Sequence, residues 1–118
     1  MTSSPSRPLE LHVDRRAAAA VVHIKGSVSM DEADRLRRQI ELLAGEQVPV
    51  IVLDLSQMDF ICSLGLGAII AGHARCRHHH GQIKLVAPSR PVRELLETTR
   101  LTKLFPIYDS VEQALPEA

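Results

Sequence analysis

Val48-Pro49-Val50-Ile51-Val52-Leu53-Asp54-Leu55, running on into Ser56-Gln57-Met58-Asp59-Phe60-Ile61-Cys62-Ser63-Leu64-Gly65-Leu66-Gly67-Ala68-Ile69-Ile70, decides the fold. The first eight residues form a near-continuous aliphatic run without helical period, which is how a strand buried on both faces reads. That places the run at the centre of a sheet. A short polar turn then leads to a helix expected over Leu64 to His80, with Ser63 as its N-cap. A capping hydroxyl that accepts an orphan backbone N–H is worth about 1 kcal/mol and needs no further explanation. The same oxygen carrying a phosphate would lie over free amides at the positive end of a helix, adding about two negative charges. Gly65 and Gly67 each cost roughly 1 kcal/mol against alanine inside a helix, so their placement predicts a side-chain-poor rim that another backbone approaches closely.

On the N-terminal side, Leu9 to Val13 alternates apolar and polar like a half-buried strand, and Ala19 to Lys25 is a second apolar run. Asp14-Arg15-Arg16 between them suits a hairpin connection. From Asp31 to Ala44, the apolar residues Ala33, Leu36, Ile40, Leu43 and Ala44 make an amphipathic stripe. Ser29, with Glu32 three residues on, matches a capping box, and Gly45 closes the helix. On the C-terminal side we expect a strand over Ile83 to Ala87, a helix over Pro91 to Thr98, a short strand over Pro106 to Tyr108 and a last helix over Ser110 to Leu115. This order implies an α/β fold, a mixed sheet with crossover helices packed on it. Residues 9–118 are read as one domain, and the Ser/Pro-rich residues 1–8 as a disordered tail rather than a signal peptide.

The 118 residues carry 14 Lys and Arg against 14 Asp and Glu, so no global field draws the chain to nucleic acid or an anionic membrane. Phe60, Phe105 and Tyr108 are its only aromatic residues, too few for a base-stacking platform, and no direct DNA or RNA binding is expected. The longest stretch free of Asp, Glu, Lys and Arg, Phe60 to Ala74, is shorter than the roughly 17–25 residues of a membrane helix. Ser63, Gly65, Gly67, Gly72 and His73 interrupt it, so no membrane insertion and a cytoplasmic location are expected. Cys62 and Cys76, on the order of 20 Å apart on a helix, are read as free thiols. His73 and His80 share a helical face, but His78 and His79 point elsewhere and no Cys or carboxylate completes a metal site. Neither metal nor cofactor is expected. No nucleophile and base pair up by spacing, no phosphate-cradling Gly-Lys loop occurs, and Gly65-Leu66-Gly67 lacks the third glycine of a dinucleotide fingerprint, so the chain does not read as an enzyme. From Arg75 to Lys103 the basic residues outnumber Glu94 and Glu97, leaving that stretch locally positive.

Asp54-Leu55-Ser56, Phe60, Ser63 and Gly65-Leu66-Gly67 together resemble the STAS domain of bacterial anti-sigma-factor antagonists. The resemblance extends over about 105 residues. Val22-His23-Ile24-Lys25-Gly26 is similar to the family's second strand and its glycine, while Leu101 to Tyr108 and Ser110 to Leu115 are similar to its C-terminal strand and helix. It implies a small mixed sheet of four to five strands with crossover helices mainly on one side. The sequence departs from the family pattern at three places: Cys62 stands where the family has Asp, Leu64 where it has a second hydroxyl residue, and Gly26-Ser27-Val28-Ser29 where it has two carboxylates.

The resemblance further implies an anti-sigma-factor antagonist that acts by partner switching. Such a protein binds an anti-sigma factor that is also a serine kinase, is released when phosphorylated at the residue matching Ser63, and is reset by a PP2C-type phosphatase. The implied partner surface comprises Ser27, Ser29, Phe60, Ile61, Cys62, Ser63, Leu64, Gly65, Leu66 and Gly67. A second role seen in the family is that of an accessory subunit in a lipid-transport ABC system, docking on the ATPase. Association into a homodimer is left open by the sequence.

Overall fold

The computed structural model describes residues 7–116 and contains one five-stranded mixed sheet. Strand β1, Glu10–Arg16, pairs antiparallel with β2, Ala19–Val28; β2 pairs parallel with β3, Val50–Ile61; β3 with β4, Gln82–Val86; and β4 with β5, Ile107–Tyr108. Helix α1, Ala33–Gly45, links β2 to β3, and α2, Ser63–Arg77, links β3 to β4. Helix α3, Arg90–Thr98, and a 3-10 turn at Leu101–Lys103 lead to β5, and the short α4, Val111–Ala114, ends the described chain. The strands stand in the sheet in chain order, so each parallel step takes one crossover to the next position.

Alternation along the strands sorts the side chains into two clusters. Val22 and Ile24 of β2, Ile51, Leu53 and Leu55 of β3, and Ile83 and Leu85 of β4 face Leu36, Ile40, Leu66, Ile69, Val92 and Leu96 of α1, α2 and α3. The opposite face of the same strands carries Val21, Val52 and Val86, which α4 covers with Ala114. Helices therefore lie mainly on one side, and the first half of β3 is buried on both faces. Glycine sets the distance between the two neighbouring helices: a Cβ at residue 72 would overlap Cγ2 of Ile40, so α1 and α2 can pack this closely only with hydrogen there.

Several boundaries differ from the sequence reading. β1 runs on through Asp14-Arg15-Arg16 to Arg16, because Arg16 pairs across to Ala19 and the hairpin turn falls on Ala17-Ala18. β3 continues through the expected polar turn to Ile61. Ser29 does not cap α1 with its hydroxyl: its carbonyl accepts from the amides of Glu32 and Ala33 at 3.0 and 2.9 Å, and the helix begins a turn later. α2 ends at Arg77, and His78-His79-His80 form a turn in which His80 has φ of 65°. Of the residues read as a tail, 1–6 lie outside the described residues, while the Arg7 carbonyl accepts from the Ser27 amide at 3.1 Å.

His73 is buried on α2, its ring edge-on to Phe105 at 5.0 Å and its Nδ1 without a hydrogen-bond partner among the described residues. Burial, with a smaller contribution from the Arg77 charge, holds this imidazole below its ordinary value of 6.5. The unfolded chain then binds the proton more readily, so the contribution to stability is complete above about pH 6.5 and is lost as the pH falls from there through the folded value. Urea midpoints taken at about pH 7.5 and about 5.5 should show acid destabilisation that shrinks in His73→Leu. Gly72→Ala should lower stability by about 1–3 kcal/mol in the same assay at neutral pH.

Candidate functional site

Beyond Asp54, β3 leaves β4 behind and pairs with β2 alone, so its last residues project from the sheet. The pairing with β2 slips at two places, opposite His23 to Lys25 and opposite Gly26 to Ser27, each time with one extra residue on β3. Such bulges bend a strand and re-aim its side chains. Asp54 organises the first of them: its Oδ1 accepts from the Ser56 amide and hydroxyl at 3.1 and 2.8 Å, and its Oδ2 lies 2.7 Å from Nδ1 of His23. Partial burial pushes the Asp54 carboxyl up, but the Ser56 bonds and His23 outweigh it and leave the group below its ordinary value. Arg7 secures the second, its guanidinium donating to both carboxylate oxygens of Asp59 at 2.8 Å and to the Gln57 carbonyl at 2.7 Å. Ser89 donates to the Met58 carbonyl at 3.2 Å and covers part of the edge that β4 leaves open.

The bulged strand delivers Phe60 to the surface with 52% of its area exposed. The Cys62 amide donates to the Val28 carbonyl at 2.9 Å, which holds residue 62 extended and makes Cys62 the N-cap; Ser63 is then the first helical residue rather than the cap. Cys62 makes no side-chain bond to the helix, and no acidic residue lies in the first turn. The first backbone bond of the helix runs from Leu66 to the Cys62 carbonyl at 3.0 Å, so the amides before it face outward without intrahelical partners. Ser63 is exposed beside them.

Helices α1 and α2 lie side by side, yet their outer faces differ in kind. α1 exposes Asp34, Arg35, Arg37 and Arg38, tied by ion pairs such as Arg37 to Glu41 at 3.0 Å. α2 exposes Ser63, Leu64, Gly67, Ile70, Ala71 and Ala74, without a charge until Arg75. Leu64 is 54% exposed and Met30, before α1, is 69% exposed. The two line a shallow groove of about 180 Å³ with Ala33, Asp34 and Arg37. The exposed residues between Phe60 and Ala74 are thus all uncharged, and Asp34 and Arg37 of α1 border them across the groove.

The residues anticipated as a partner surface divide by depth. Phe60, Ser63, Leu64 and Gly67 are exposed, Ser29 and Cys62 are half-buried, and Ser27, Ile61, Gly65 and Leu66 are interior. Gly65 has an internal reason, since a Cβ there would stand 2.7 Å from Cγ1 of Ile61 and 2.8 Å from Cγ1 of Val28. Gly67 has none, for a Cβ there would meet nothing within 4 Å. Met30, Ile70, Ala71 and Ala74 border the same exposed surface without being anticipated from the sequence; for the last three, the absence of charge through residue 74 is the available signal. Among the described residues no group of three His, Cys, Asp or Glu side chains is placed to hold a metal ion, and no helix is long and apolar enough to cross a membrane. Cys62 and Cys76 are free thiols, and burial pushes the Cys76 thiol up.

Residues 10–114 match the family profile of the STAS domain. An anti-sigma F factor antagonist of Paenibacillus polymyxa is 29% identical over 110 residues, covering 92% of this chain and 94% of that one. The crystal structure of an anti-sigma factor antagonist from Mycobacterium paratuberculosis superposes with a TM-score of 0.81 at 27% identity, covering 91% of each chain. SpoIIAA of Bacillus shares the fold in both its unphosphorylated form (TM-score 0.80, 18% identity, 89% of this chain and 92% of that one) and its phosphorylated form (0.72, 16%, 89% and 96%).

Because Gly67 is open to solvent inside a helix, Gly67→Ala should stabilise the isolated chain by up to about 1 kcal/mol in urea titration. The same change at Gly65 should destabilise it.

Proposed function

The chain belongs to the STAS domain family, and from that membership we propose that it is an anti-sigma-factor antagonist acting by partner switching, with Ser63 as the switch. The observation that carries this reading is the uncharged outer face from Phe60 to Ala74, with an exposed hydroxyl at its rim and no acid in the first turn of α2. The related antagonist of Paenibacillus polymyxa and the existence of SpoIIAA in phosphorylated and unphosphorylated forms support it.

In the unmodified state Phe60, Leu64, Gly67, Ile70 and Met30 offer apolar area and a flat strip of helix backbone to the anti-sigma factor. Burying such area is favourable at about 25 cal/mol per Å². Phosphorylation by the partner kinase joins the γ-phosphorus of ATP to Oγ of Ser63 and breaks its bond to the β-phosphate oxygen; the hydroxyl proton leaves to a base of the kinase, and ADP departs. The new dianion is well placed on the free chain, beside the unpaired amides at the positive end of α2. In the complex it would have to be desolvated against an apolar surface without a counter-charge, so the complex dissociates. A PP2C-type phosphatase hydrolyses the ester and restores the contact surface. Cys62 and the serines at 27 and 29 stand where relatives carry carboxylates, and Leu64 where they carry a hydroxyl, so this chain selects a partner whose docking surface is apolar rather than basic. The reading is of a cytoplasmic interaction module, not an enzyme.

Calorimetry with the anti-sigma factor kinase recovered by pull-down tests it. Wild type and Ser63→Ala should bind, Ser63→Asp should bind at least tenfold more weakly, and ATP should release the wild type but not Ser63→Ala. Equal affinity of wild type and Ser63→Asp would overturn the switch. Recovery of a transport ATPase instead, with no added phosphate in the intact mass, would replace it by the accessory-subunit role. Phe60→Ala and Leu64→Ala should weaken binding while leaving the urea midpoint within about 0.5 kcal/mol of wild type, as expected of exposed side chains.

A further inference from the structure

We propose that β1 is a homodimerisation edge, pairing antiparallel with β1 of a second copy about a two-fold axis through Val13. β1 is the first strand in the sheet order, and among the described residues β2 is its only neighbour. It is seven residues long, contains no proline and keeps an unbroken register with β2, so it lacks the bulge, the proline and the shortness that blunt natural edges. Its free row of amides and carbonyls is a template for another strand.

Its sequence, Glu10-Leu11-His12-Val13-Asp14-Arg15-Arg16, decides which strand fits. A two-fold perpendicular to the sheet keeps each side chain on the same face as the residue opposite it, which allows only registers centred on a residue. Centred on Val13, Glu10 faces the second copy's Arg16, His12 faces its Asp14, Leu11 faces its Arg15 and Val13 faces itself; every charged residue meets an opposite charge, a polar ring or an aliphatic neighbour. Centred on His12, Glu10 would face Asp14. Centred on Asp14, that carboxylate would face its own copy. Both neighbouring registers set like charges directly opposite, which destabilises a strand pair. Glu10, His12, Arg15 and Arg16 are exposed, and although Arg15 donates to Glu46 and Arg16 to Asp14 of their own chain, each guanidinium keeps further N–H donors for the second copy. Leu11 and Val13, half-buried against the core, gain cover from the Arg15 stem and from each other. Because the symmetry is isologous, each cross-strand pair other than Val13 with itself occurs twice, and the assembly closes at two copies. The result is a continuous ten-stranded sheet with α1, α2 and α3 of both copies on one side. It depends on β1 alone and stands apart from the role of Ser63.

Charge reversal in sedimentation velocity tests the pairing. The wild type should shift with concentration from the 13.0 kDa monomer to twice that mass. Glu10→Arg and Arg16→Glu should each weaken self-association by about tenfold, since two cross-strand pairs turn repulsive in each. Mixed in equal amounts, the two variants should recover the dimer, because the arginine introduced at position 10 of one copy then faces the glutamate introduced at position 16 of the other, while the unaltered Arg16 of the first faces the unaltered Glu10 of the second. Unchanged far-UV circular dichroism of both variants establishes that they fold. A wild type that stays monomeric throughout, or a dimer that both reversals leave intact, would overturn the proposal, as would a mixture that fails to reassociate.

Discussion

Helix α2 lies against the sheet and against α1 at a distance that only hydrogen atoms permit. At residue 65 a methyl group would stand 2.7 Å from Ile61 and 2.8 Å from Val28, and at residue 72 it would overlap Ile40. With those two glycines in place, Leu66, Ile69 and Cys76 reach the interior and meet the strand side chains there. Interiors are packed to the density of organic crystals, so such a fit leaves little freedom to tilt or slide the helix. The same seating determines what points outward: Ser63, Leu64, Gly67, Ile70 and Ala74 follow from the geometry of the buried side. The rigid inner contact and the bare outer face are two consequences of one constraint.

The electrostatic argument is local. A chain with balanced charge gives no long-range preference for a partner, and around Ser63 even the short-range charges are few. The acids of α1 are engaged by its own arginines, as Arg37 with Glu41 and Arg38 with Asp34. Asp54 and Asp59, the two carboxylates of β3, are engaged by Ser56 and His23 and by Arg7. What remains between them is uncharged surface next to unpaired helix amides. On such a surface one phosphate is a large perturbation, whereas on the outer face of α1 it would be one charge among many.

Much of this was readable from the residues. Ala33, Leu36, Ile40, Leu43 and Ala44 are the buried stripe of α1 as their spacing predicts, and Val50 to Leu53 is buried from both sides as a continuous aliphatic run should be. The far half of β3 was not readable, because two bulges destroy the period of two and Ser56, Gln57 and Asp59 look like a turn when taken in order. The capping patterns at Ser29 and Ser63 mislead for a related reason. A capping pattern names a residue able to cap, but the backbone bond from Cys62 to Val28 fixes where α2 starts, and that bond joins residues far apart in sequence. Arg7 reads as part of a tail because its partners, Asp59 and the Gln57 carbonyl, lie about fifty residues away. The outer face of α2 was legible only as an absence of charge, which serves a membrane helix, a core helix or a docking helix equally until the neighbours are known.

Hydrogen-exchange mass spectrometry of the chain, alone and with the anti-sigma factor kinase proposed as its partner, bears most directly on the central claim. Binding should slow exchange in peptides covering residues 60 to 74 and should leave the outer face of α1 unchanged, with the protection lost once Ser63 is phosphorylated. Protection confined to α1, or protection of residues 60 to 74 that persists in the phosphorylated chain, would contradict the account.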